Sequence, residues 1–250
     1  MSNAPLLKVE DLTKSFGGIL ALSDVTFNLN EGELLGVIGP NGSGKTTLVN
    51  LLTGFVKSSS GKVFYRSKDI TNWPPYAIIR LGVARTFQMV KPFYQLPAYK
   101  NMIIPLYSPR VKQLAGGKYG DRDAVALDLL EEVGFERDAH VAYKPASVLP
   151  QGYLKRLELA KAIALQADLI ILDELFSGLS LAELATLIPI IEKLRREGKT
   201  IIMIEHRLRE LFRITNRVIV MNYGRKIADG SPQEVMESDD VKKAYLGSEG

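Results

Sequence analysis

The chain has 250 residues, 46% of them apolar and 24% charged, which is the composition of a globular protein large enough to bury a core. Its formal charge of +4 suits an anionic ligand but is too small to indicate nucleic-acid binding by itself, and the absence of cysteine excludes disulfides and thiolate metal sites. The longest apolar runs are strand-sized and the start lacks a signal sequence, so we expect a soluble protein that reaches a membrane only by docking on other subunits.

Short apolar runs typical of strands alternate with helical patterns along the chain. Several runs, such as LLGVI and LIILD, are apolar on both faces, as expected for inner strands of a sheet that is itself covered on both sides. The predicted strands are 22–29, 34–38, 62–65, 83–87, 168–172, 200–204 and 217–221. The predicted helices are 44–54, 121–133, 152–166, 181–196 and 206–213, followed by a short helix that begins at the capping-box sequence Ser231-Pro232-Gln233-Glu234. Asp121 is expected to cap the second of these helices, and Gly134 stands where a left-handed residue follows its end.

The segment 89–155 interrupts this alternation. It is rich in Pro, Gly and Tyr at first and then helical, and it contains no convincing strand. We therefore predict a mostly helical subdomain, 89–155, inserted into an α/β core that 1–88 and 156–250 form together.

A glycine-rich stretch between a predicted strand and a predicted helix carries the strongest functional signal. Residues 39–46 fit the pattern G-x-x-x-x-G-K-[ST], in which backbone N–H groups and the start of the helix surround phosphate oxygens. Lys45 is expected to reach the β- and γ-phosphates and the Thr46 hydroxyl to reach Mg²⁺. The alternative is a glycine-rich turn beside an exposed lysine. The predicted ATP-binding residues of this loop are Gly39, Pro40, Asn41, Gly42, Ser43, Gly44, Lys45, Thr46 and Thr47.

Two carboxylates follow the apolar run LIIL. Asp173 and Glu174 lie where a buried strand emerges at its carboxyl end, the edge of an α/β sheet that holds ligands. Asp173 is predicted to hold Mg²⁺, and Glu174 to polarise the attacking water. The alternative is a pair of exposed acids that cap the next turn.

Gln88 and His206 also follow strand-like runs, at the ends of VARTFQ and IIMIEH. An amide or a neutral imidazole at the same sheet edge can hydrogen-bond the γ-phosphate or the water. A lone histidine at such a position is more often a surface helix cap than a catalytic group.

The order of these motifs resembles that of ATP-binding subunits of ABC transporters over nearly the whole chain. The order is a phosphate loop, TFQ, a glycine-containing helix start, LIILDE, SGLS and IIMIEH. The sequences FGGILALSDVTF, LGVARTFQ, MIEHRL and GSPQEVMESDDVKKAYLG are similar to subunits that energise uptake of branched-chain amino acids and related amides. The resemblance implies a P-loop NTPase core with a mostly parallel sheet, N-terminal antiparallel strands and an inserted helical subdomain.

The resemblance also implies roles for individual residues. Phe16 would stack on adenine, Gln88 would link the γ-phosphate and Mg²⁺ to the helical insertion, and His206 would be the switch histidine. Residues 177–180 would face a partner subunit. Leu149, Gln151 and Gly152 would belong to the signature stretch that contacts ATP held by the opposite subunit.

Two positions depart from the family pattern. Pro150 stands where the signature Leu-Ser-Gly-Gly-Gln has serine, so a hydroxyl donor is lost, although Gln151 brings an amide and proline suits a first helical turn. Leu175 stands where proline commonly follows the glutamate. Because every other motif is intact, we expect a working ATPase in which Glu174, Gln88 and His206 act in catalysis.

The resemblance implies an ATP- and Mg²⁺-dependent subunit of an importer, peripheral on the cytoplasmic face of the membrane. Its partners would be a second ATP-binding subunit, identical or paralogous, transmembrane permeases and, indirectly, an extracytoplasmic solute-binding protein, with no nucleic acid. The alternatives are a soluble ABC ATPase that acts on nucleic acid or ribosomes, and a non-hydrolysing regulator that Pro150 suggests. A small-molecule kinase leaves the signature stretch and His206 unexplained.

Overall fold

The computed structural model describes residues 4–114 and 120–246. Their strands are β1 (Leu7–Phe16), β2 (Ile19–Leu29), β3 (Leu34–Ile38), β4 (Ser60–Tyr65), β5 (Lys68–Asp69), β6 (Val83–Arg85), β7 (Leu169–Asp173), β8 (Thr200–Ile204), β9 (Arg217–Asn222) and β10 (Arg225–Gly230). Their α-helices are α1 (Lys45–Leu52), α2 (Pro75–Leu81), α3 (Ile103–Leu106), α4 (Pro109–Leu114), α5 (Arg122–Glu132), α6 (Gln151–Ala164), α7 (Leu181–Arg196), α8 (Leu208–Ile214), α9 (Pro232–Glu237) and α10 (Asp239–Leu246).

The chain divides into two compact units, and the division falls within α2. The first unit comprises Met1–Ile78 with Gly198–Gly250, and the second comprises Ile79–Glu197. Within 4–114 and 120–246, no helix has both the length and the apolar character needed to cross a bilayer.

The first unit holds two sheets. One is antiparallel with the order β2-β1-β4-β5, and the other contains the strands β10-β9-β3-β8, in which β3 runs parallel to β8 and β9. Every residue of β3 and β8 is buried. This agrees with the prediction that these runs form inner strands covered on both faces. The phosphate loop follows β3 directly and leads into α1.

The second unit contains the parallel pair β6 and β7 and the helices α3 to α7. Helix α5 begins as predicted, with the Asp121 carboxylate accepting from the amides of Asp123 and Ala124. It ends with Gly134 at a φ of 88°, the left-handed residue expected just past a helix. The described residues of 89–155 contain helices and turns with a single isolated bridge, Pro97 to Pro145, in agreement with the predicted lack of strands.

The remaining predicted elements occur with shifted ends, and some elements were missed. β6 ends at Arg85 instead of residue 87, and α6 runs from Gln151 to Ala164. Strand β1 was not among the predicted runs because its alternation breaks at a register shift between Val9 and Leu12, where Asp11 has a φ of 46°. The capping box predicted at Ser231 is present and starts α9.

Candidate nucleotide-binding and hydrolysis site

The phosphate loop connects β3 to α1 with three glycines at positive φ, namely Gly39, Gly42 and Gly44. A Cβ at Gly39 would overlap the carbonyl oxygen of Met221, whereas a Cβ at Gly42 would meet no atom within 4 Å. Glycine is therefore required at position 39 because a side chain has no room there, and at position 42 because the backbone has a φ of 77°. The result is a glycine-rich loop that leads directly into the N-terminus of α1, the arrangement that binds phosphate.

Lys45 is buried at the first position of α1, with 6% of its surface exposed. Its ammonium donates to the carbonyl oxygens of Gly39 at 2.7 Å and Pro40 at 2.9 Å, and to Ser43 Oγ at 3.4 Å. Those bonds hold the cation over the loop, where it can attract a phosphate. Thr46, the next residue, is exposed at the same helix end.

His206 follows β8 in the same unit. Val37 of β3 pairs with Ile204 of the parallel strand β8, so Gly39 and His206 each lie two residues beyond paired positions. Both therefore leave the sheet at the same edge, as predicted from the sequence. The His206 side chain is exposed, and the neighbouring Glu205 is buried.

Phe16, the residue predicted to stack on adenine, is the last residue of β1. Its side chain is 47% exposed, and the Lys14 ammonium lies 4.8 Å from its ring centroid. An exposed ring of this kind is available for stacking. Its exposure argues against the alternative of a core phenylalanine but not against that of an ordinary phenylalanine of an edge strand.

In the second unit, Asp173 is the buried last residue of β7. Its Oδ2 accepts a hydrogen bond of 2.7 Å from Arg85 Nη2, and both side chains are at least nine-tenths buried. The Asp173 amide donates to Thr86 Oγ1 at 3.2 Å, which ties the carboxylate to the end of β6. Sequence reasoning missed Arg85, although the residue stands inside the quoted run VARTFQ.

Glu174 and Gln88 are brought together by the register of β6 and β7. Arg85 pairs with Ile171, and Gln88 and Glu174 each lie three residues further along these parallel strands. Gln88 Nε2 donates to Glu174 Oε2 at 2.6 Å. Glu174 has a φ of 49°, a left-handed conformation that costs a residue with a side chain about 1–3 kcal/mol and persists only where its surroundings hold it.

Lys155 of α6 supplies part of that support, and sequence reasoning missed this residue as well. Its ammonium donates to the carbonyl oxygens of Gln88 at 3.0 Å and Glu174 at 3.1 Å. A lysine that is only 2% exposed is the signal that could have identified it, but burial is not visible in the sequence, where the position reads as one of several basic residues on a helix.

The signature stretch begins α6. Pro150 is the N-cap instead of a first-turn residue, and its carbonyl accepts from the amides of Tyr153 and Leu154. Leu149 is buried, and Gln151 is exposed with its Nε2 3.5 Å from the carbonyl oxygen of Ser177. The stretch therefore lies against the 177–180 loop.

Gly152 faces Glu183 of α7. A Cβ at Gly152 would overlap Glu183 Oε1, while Glu183 Oε2 accepts from the amide of Ser180 at 2.7 Å and its hydroxyl at 2.8 Å. The bonds from the backbone amide and hydroxyl of Ser180 hold the pKa of Glu183 below its ordinary value of 4.5. The capping box of α7 thus places an ionised carboxylate beside the signature glycine.

Tyr245 of α10 adds a contact to the phosphate loop that the sequence did not suggest. Burial raises the pKa of its hydroxyl to about 12, against the opposing effect of a hydrogen bond with the backbone of Gly39. The C-terminal helix of the first unit thereby reaches the start of the loop.

The donors proposed for Mg²⁺ have the required chemistry. Thr46 offers a hydroxyl oxygen and Asp173 a carboxylate, and Mg²⁺ prefers such oxygen ligands together with phosphate oxygens. The Asp173 carboxylate already pairs with the Arg85 guanidinium within its own unit, so the ion would have to share that carboxylate with a cation. By its oxygen donor, each of the two residues suits the ion.

A phosphate loop between a buried strand and a helix, with a carboxylate pair at the end of another buried strand, defines a P-loop ATPase. Comparison with known proteins gives the family. The family model described as ABC transporter matches residues 22–177, and the model described as branched-chain amino acid ATP-binding cassette transporter matches residues 225–250.

Curated relatives match along almost their entire length. A protein named high-affinity branched-chain amino acid transport ATP-binding protein LivG, from Salmonella typhimurium, is 36% identical, covering 97% of this chain and 98% of its own. One named BraF from Pseudomonas aeruginosa is 35% identical over 97% and 98% of the two chains. A probable LivG from Archaeoglobus fulgidus is 33% identical over 98% and 96%.

Solved structures give the same result. A nucleotide-free ATP-binding cassette from an ABC transporter has a TM-score of 0.86 at 30% identity and covers 97% of this chain and 99% of that chain. A dimeric bacterial ABC transporter cassette has a TM-score of 0.78 at 24% identity over 90% and 98%, a likeness of fold. The chain belongs to the ABC transporter family and is an ATP-binding cassette ATPase, which confirms the predicted family, fold class and enzyme class.

Proposed function

We propose that this chain binds and hydrolyses ATP as the energising subunit of an importer for branched-chain amino acids or related amides. The single observation that carries the chemistry is the bond of 2.6 Å between Gln88 and Glu174. It brings together the two side chains to which the sequence assigns γ-phosphate sensing and water activation. The C-terminal match at 225–250 and the names of the curated relatives support the transported class.

In the proposed mechanism, the phosphate loop and Lys45 bind the β- and γ-phosphates, and Phe16 stacks on adenine. Glu174 accepts a proton from the attacking water, which its carboxylate orients by a hydrogen bond. Gln88 senses the γ-phosphate, and His206 hydrogen-bonds it from the edge that His206 shares with the loop. When bound, Mg²⁺ neutralises charge on the phosphate oxygens, and Thr46 and Asp173 would hold it.

The working unit is proposed to be two such subunits arranged head to tail, either identical or paralogous. Each subunit carries one phosphate loop and one signature stretch, so two ATP molecules would bind between them, each touching Leu149, Gln151 and Gly152 of the opposite subunit. The likeness of fold to a dimeric cassette is consistent with this arrangement. ATP binding closes the pair and hydrolysis opens it.

Coupling to transport is proposed to pass through the helical insertion, 89–155, to transmembrane permeases. The subunit would thus lie on the cytoplasmic face of the membrane. An extracytoplasmic solute-binding protein would deliver the solute to the permeases on the other face. The relatives named above are transport proteins, which supports a transport role over nucleic-acid binding and over the regulatory role that Pro150 suggests.

The chemical part of the proposal is tested with the variant E174Q. The wild-type chain should release phosphate from ATP, whereas E174Q should bind ATP with similar affinity, hydrolyse it at least about a hundredfold more slowly and accumulate as an ATP-bound dimer. Phosphate release, equilibrium binding of a fluorescent ATP analogue and light scattering measure these properties. Equal turnover by wild type and E174Q would overturn the assigned role of Glu174.

The transport part needs the assembled complex. The chain is co-expressed with the permease genes beside its own gene, reconstituted in vesicles and supplied with ATP and the cognate solute-binding protein. Uptake of leucine, isoleucine or valine that requires ATP would support the proposed cargo, and uptake of chemically different solutes alone would overturn it.

A further inference from the structure

Lys155 lies in the second turn of α6, one turn after Gly152, and only 2% of its surface is exposed. Its ammonium group donates to the main-chain carbonyl oxygens of Gln88 at 3.0 Å and Glu174 at 3.1 Å. The side chains of the same two residues are joined by the bond from Gln88 Nε2 to Glu174 Oε2. Lys155, Gln88 and Glu174 therefore form a closed ring of hydrogen bonds, which we call the Lys155 ring.

We propose that Lys155 is a positioning residue for ATP hydrolysis, which holds Gln88 and Glu174 in the geometry of attack and links both to the signature helix. The proposal rests on the proposed function, because that function assigns sensing to Gln88 and water activation to Glu174. It adds a residue that touches neither nucleotide nor water and acts through the backbone of the two residues that do.

The backbone of Glu174 is the first reason. Its φ of 49° is disfavoured for a residue with a side chain, so the conformation persists only if neighbouring groups hold it. A hydrogen bond from an ammonium group to the Glu174 carbonyl is charge-assisted and hence among the stronger ones available. Without it, the peptide can relax toward ordinary φ values, which would swing the carboxylate away from Gln88 and from the water.

The cost of burying the ammonium group is the second reason. A buried charge is unfavourable unless polar groups surround it, and an apolar side chain at this position of α6 would avoid that cost. The lysine donates to carbonyl oxygens from two different segments, one after β6 and one after β7. It therefore joins two backbone segments that an apolar residue would leave unconnected.

The helix itself is the third reason. Gly152 and Lys155 are three residues apart, so they lie on the same side of α6 and move together as parts of one rigid element. A nucleotide that engages the signature stretch would therefore act on the ammonium group, and through it on the carbonyls of Gln88 and Glu174.

The test compares K155M, which removes the donor but keeps an unbranched side chain, with K155Q, which keeps a shorter donor. The matched control is K193M on α7 of the same unit, because Lys193 is half exposed, pairs with the exposed Glu132 and lies outside the ring. We expect K155M to bind ATP with a Kd within about twofold of wild type while kcat falls about tenfold to a hundredfold, the effect of misplacing a catalytic group. The kcat of K155Q should fall between those of K155M and wild type, and K193M should match wild type.

A double variant separates positioning from a general loss of structure. If Lys155 acts through Gln88, then K155M should reduce kcat much less in the Q88A background than in the wild-type chain. The proposal would be overturned if the two substitutions reduced kcat additively in the double variant. It would also be overturned if K155M lost ATP affinity in parallel with kcat. If K155M does not fold, K155Q decides alone, and a kcat equal to that of K193M overturns the proposal.

The failure of this inference can be distinguished from failure of the proposed function. If wild type does not hydrolyse ATP, or E174Q hydrolyses it equally fast, the proposed function itself is wrong. If wild type and E174Q behave as proposed but K155M matches K193M in kcat, only the role of Lys155 is wrong.

Discussion

Arg85 and Asp173 form a buried ion pair at the ends of two adjacent parallel strands, with Nη2 and Oδ2 2.7 Å apart. The carboxylate proposed to hold Mg²⁺ thus has a cationic partner within its own unit. Because both side chains are at least nine-tenths buried, water cannot replace either partner.

Replacing Arg85 with methionine should therefore destabilise the chain strongly. The variant R85M leaves the Asp173 carboxylate buried without the guanidinium, and loss of one partner of a buried pair costs about 3–5 kcal/mol. Urea unfolding followed by circular dichroism measures the change in the free energy of unfolding. The matched control is K193M, which removes the exposed pair of Lys193 with Glu132 and should cost less than about 1 kcal/mol. Similar losses of the free energy of unfolding in R85M and K193M would contradict the importance assigned to the buried pair of Arg85 and Asp173.

The glycines of the phosphate loop should differ in their tolerance of alanine. G39A drives a Cβ into the Met221 carbonyl, a backbone atom that cannot turn aside, so we expect a loss of about 3 kcal/mol or more in the free energy of unfolding. G42A meets no neighbour within 4 Å and should lose only the cost of left-handed backbone, about 1–2 kcal/mol. Denaturant unfolding of both variants gives the order, and an equal or reversed order would contradict the two separate reasons given for these glycines.

Alanine at Gly152 should be harmful because of Glu183. An alanine in a helix normally stabilises it by about 0.5–1 kcal/mol relative to glycine, but here the new methyl group overlaps Glu183 Oε1. We expect G152A to lose about 1–2 kcal/mol, since moving Glu183 weakens its bonds to Ser180. The free energy of unfolding of G152A, measured by urea titration, gives that loss.

Two controls accompany that measurement. G120A should be close to neutral, because no atom of the described residues lies within 4 Å of the Cβ position of Gly120 and its φ is not positive. In the E183A background, G152A should no longer destabilise the chain, since the overlapping carboxylate has been removed. A loss that persists there would mean that Glu183 is not the cause.

The lowered pKa of Asp229, a residue of the first unit, predicts that the stability of the folded chain depends on pH. Burial opposes its ionisation, but hydrogen bonds from Arg217 and Lys226 outweigh burial and set its pKa below the ordinary value of 3.8. The folded state therefore binds fewer protons at Asp229 than the unfolded state does. Its contribution to stability is complete above the unfolded pKa and is lost as the pH falls through the folded pKa.

The variant D229N tests that sign. D229N should lower the free energy of unfolding by about 1–2 kcal/mol near neutral pH and by much less near about pH 2.5. The first value allows for solvent screening of a partly exposed pair. Urea unfolding at both pH values measures the difference, with D138N, at an exposed position, as the control. A cost for D229N that does not shrink in acid would contradict the lowered pKa.

The sequence predicted the elements that depend on contiguous residues. The phosphate loop, the fully buried strands β3, β7 and β8, and the caps at Asp121 and Ser231 are each written in fewer than a dozen neighbouring positions. Strand β1 was not predicted, because a bulge breaks its alternation of apolar and polar residues. Strand β10 was not predicted either, because its sequence is polar and only its pairing with β9 makes it a strand.

The sequence by itself predicted a nucleoside triphosphate site, because backbone geometry and phosphate chemistry fix the glycines, Lys45 and the carboxylate pair within short motifs. The order of those motifs, by its resemblance to ABC transporter subunits, implied the family. Only the tertiary structure decided how the catalytic side chains are held. Arg85 and Asp173 lie 88 positions apart, Gln88 and Glu174 lie 86 apart, and Lys155 reaches Gln88 across 67. Such contacts depend on the register of β6 against β7 and on where α6 lies beside them, and a burial-dependent bond between distant residues leaves no periodic signal in the sequence.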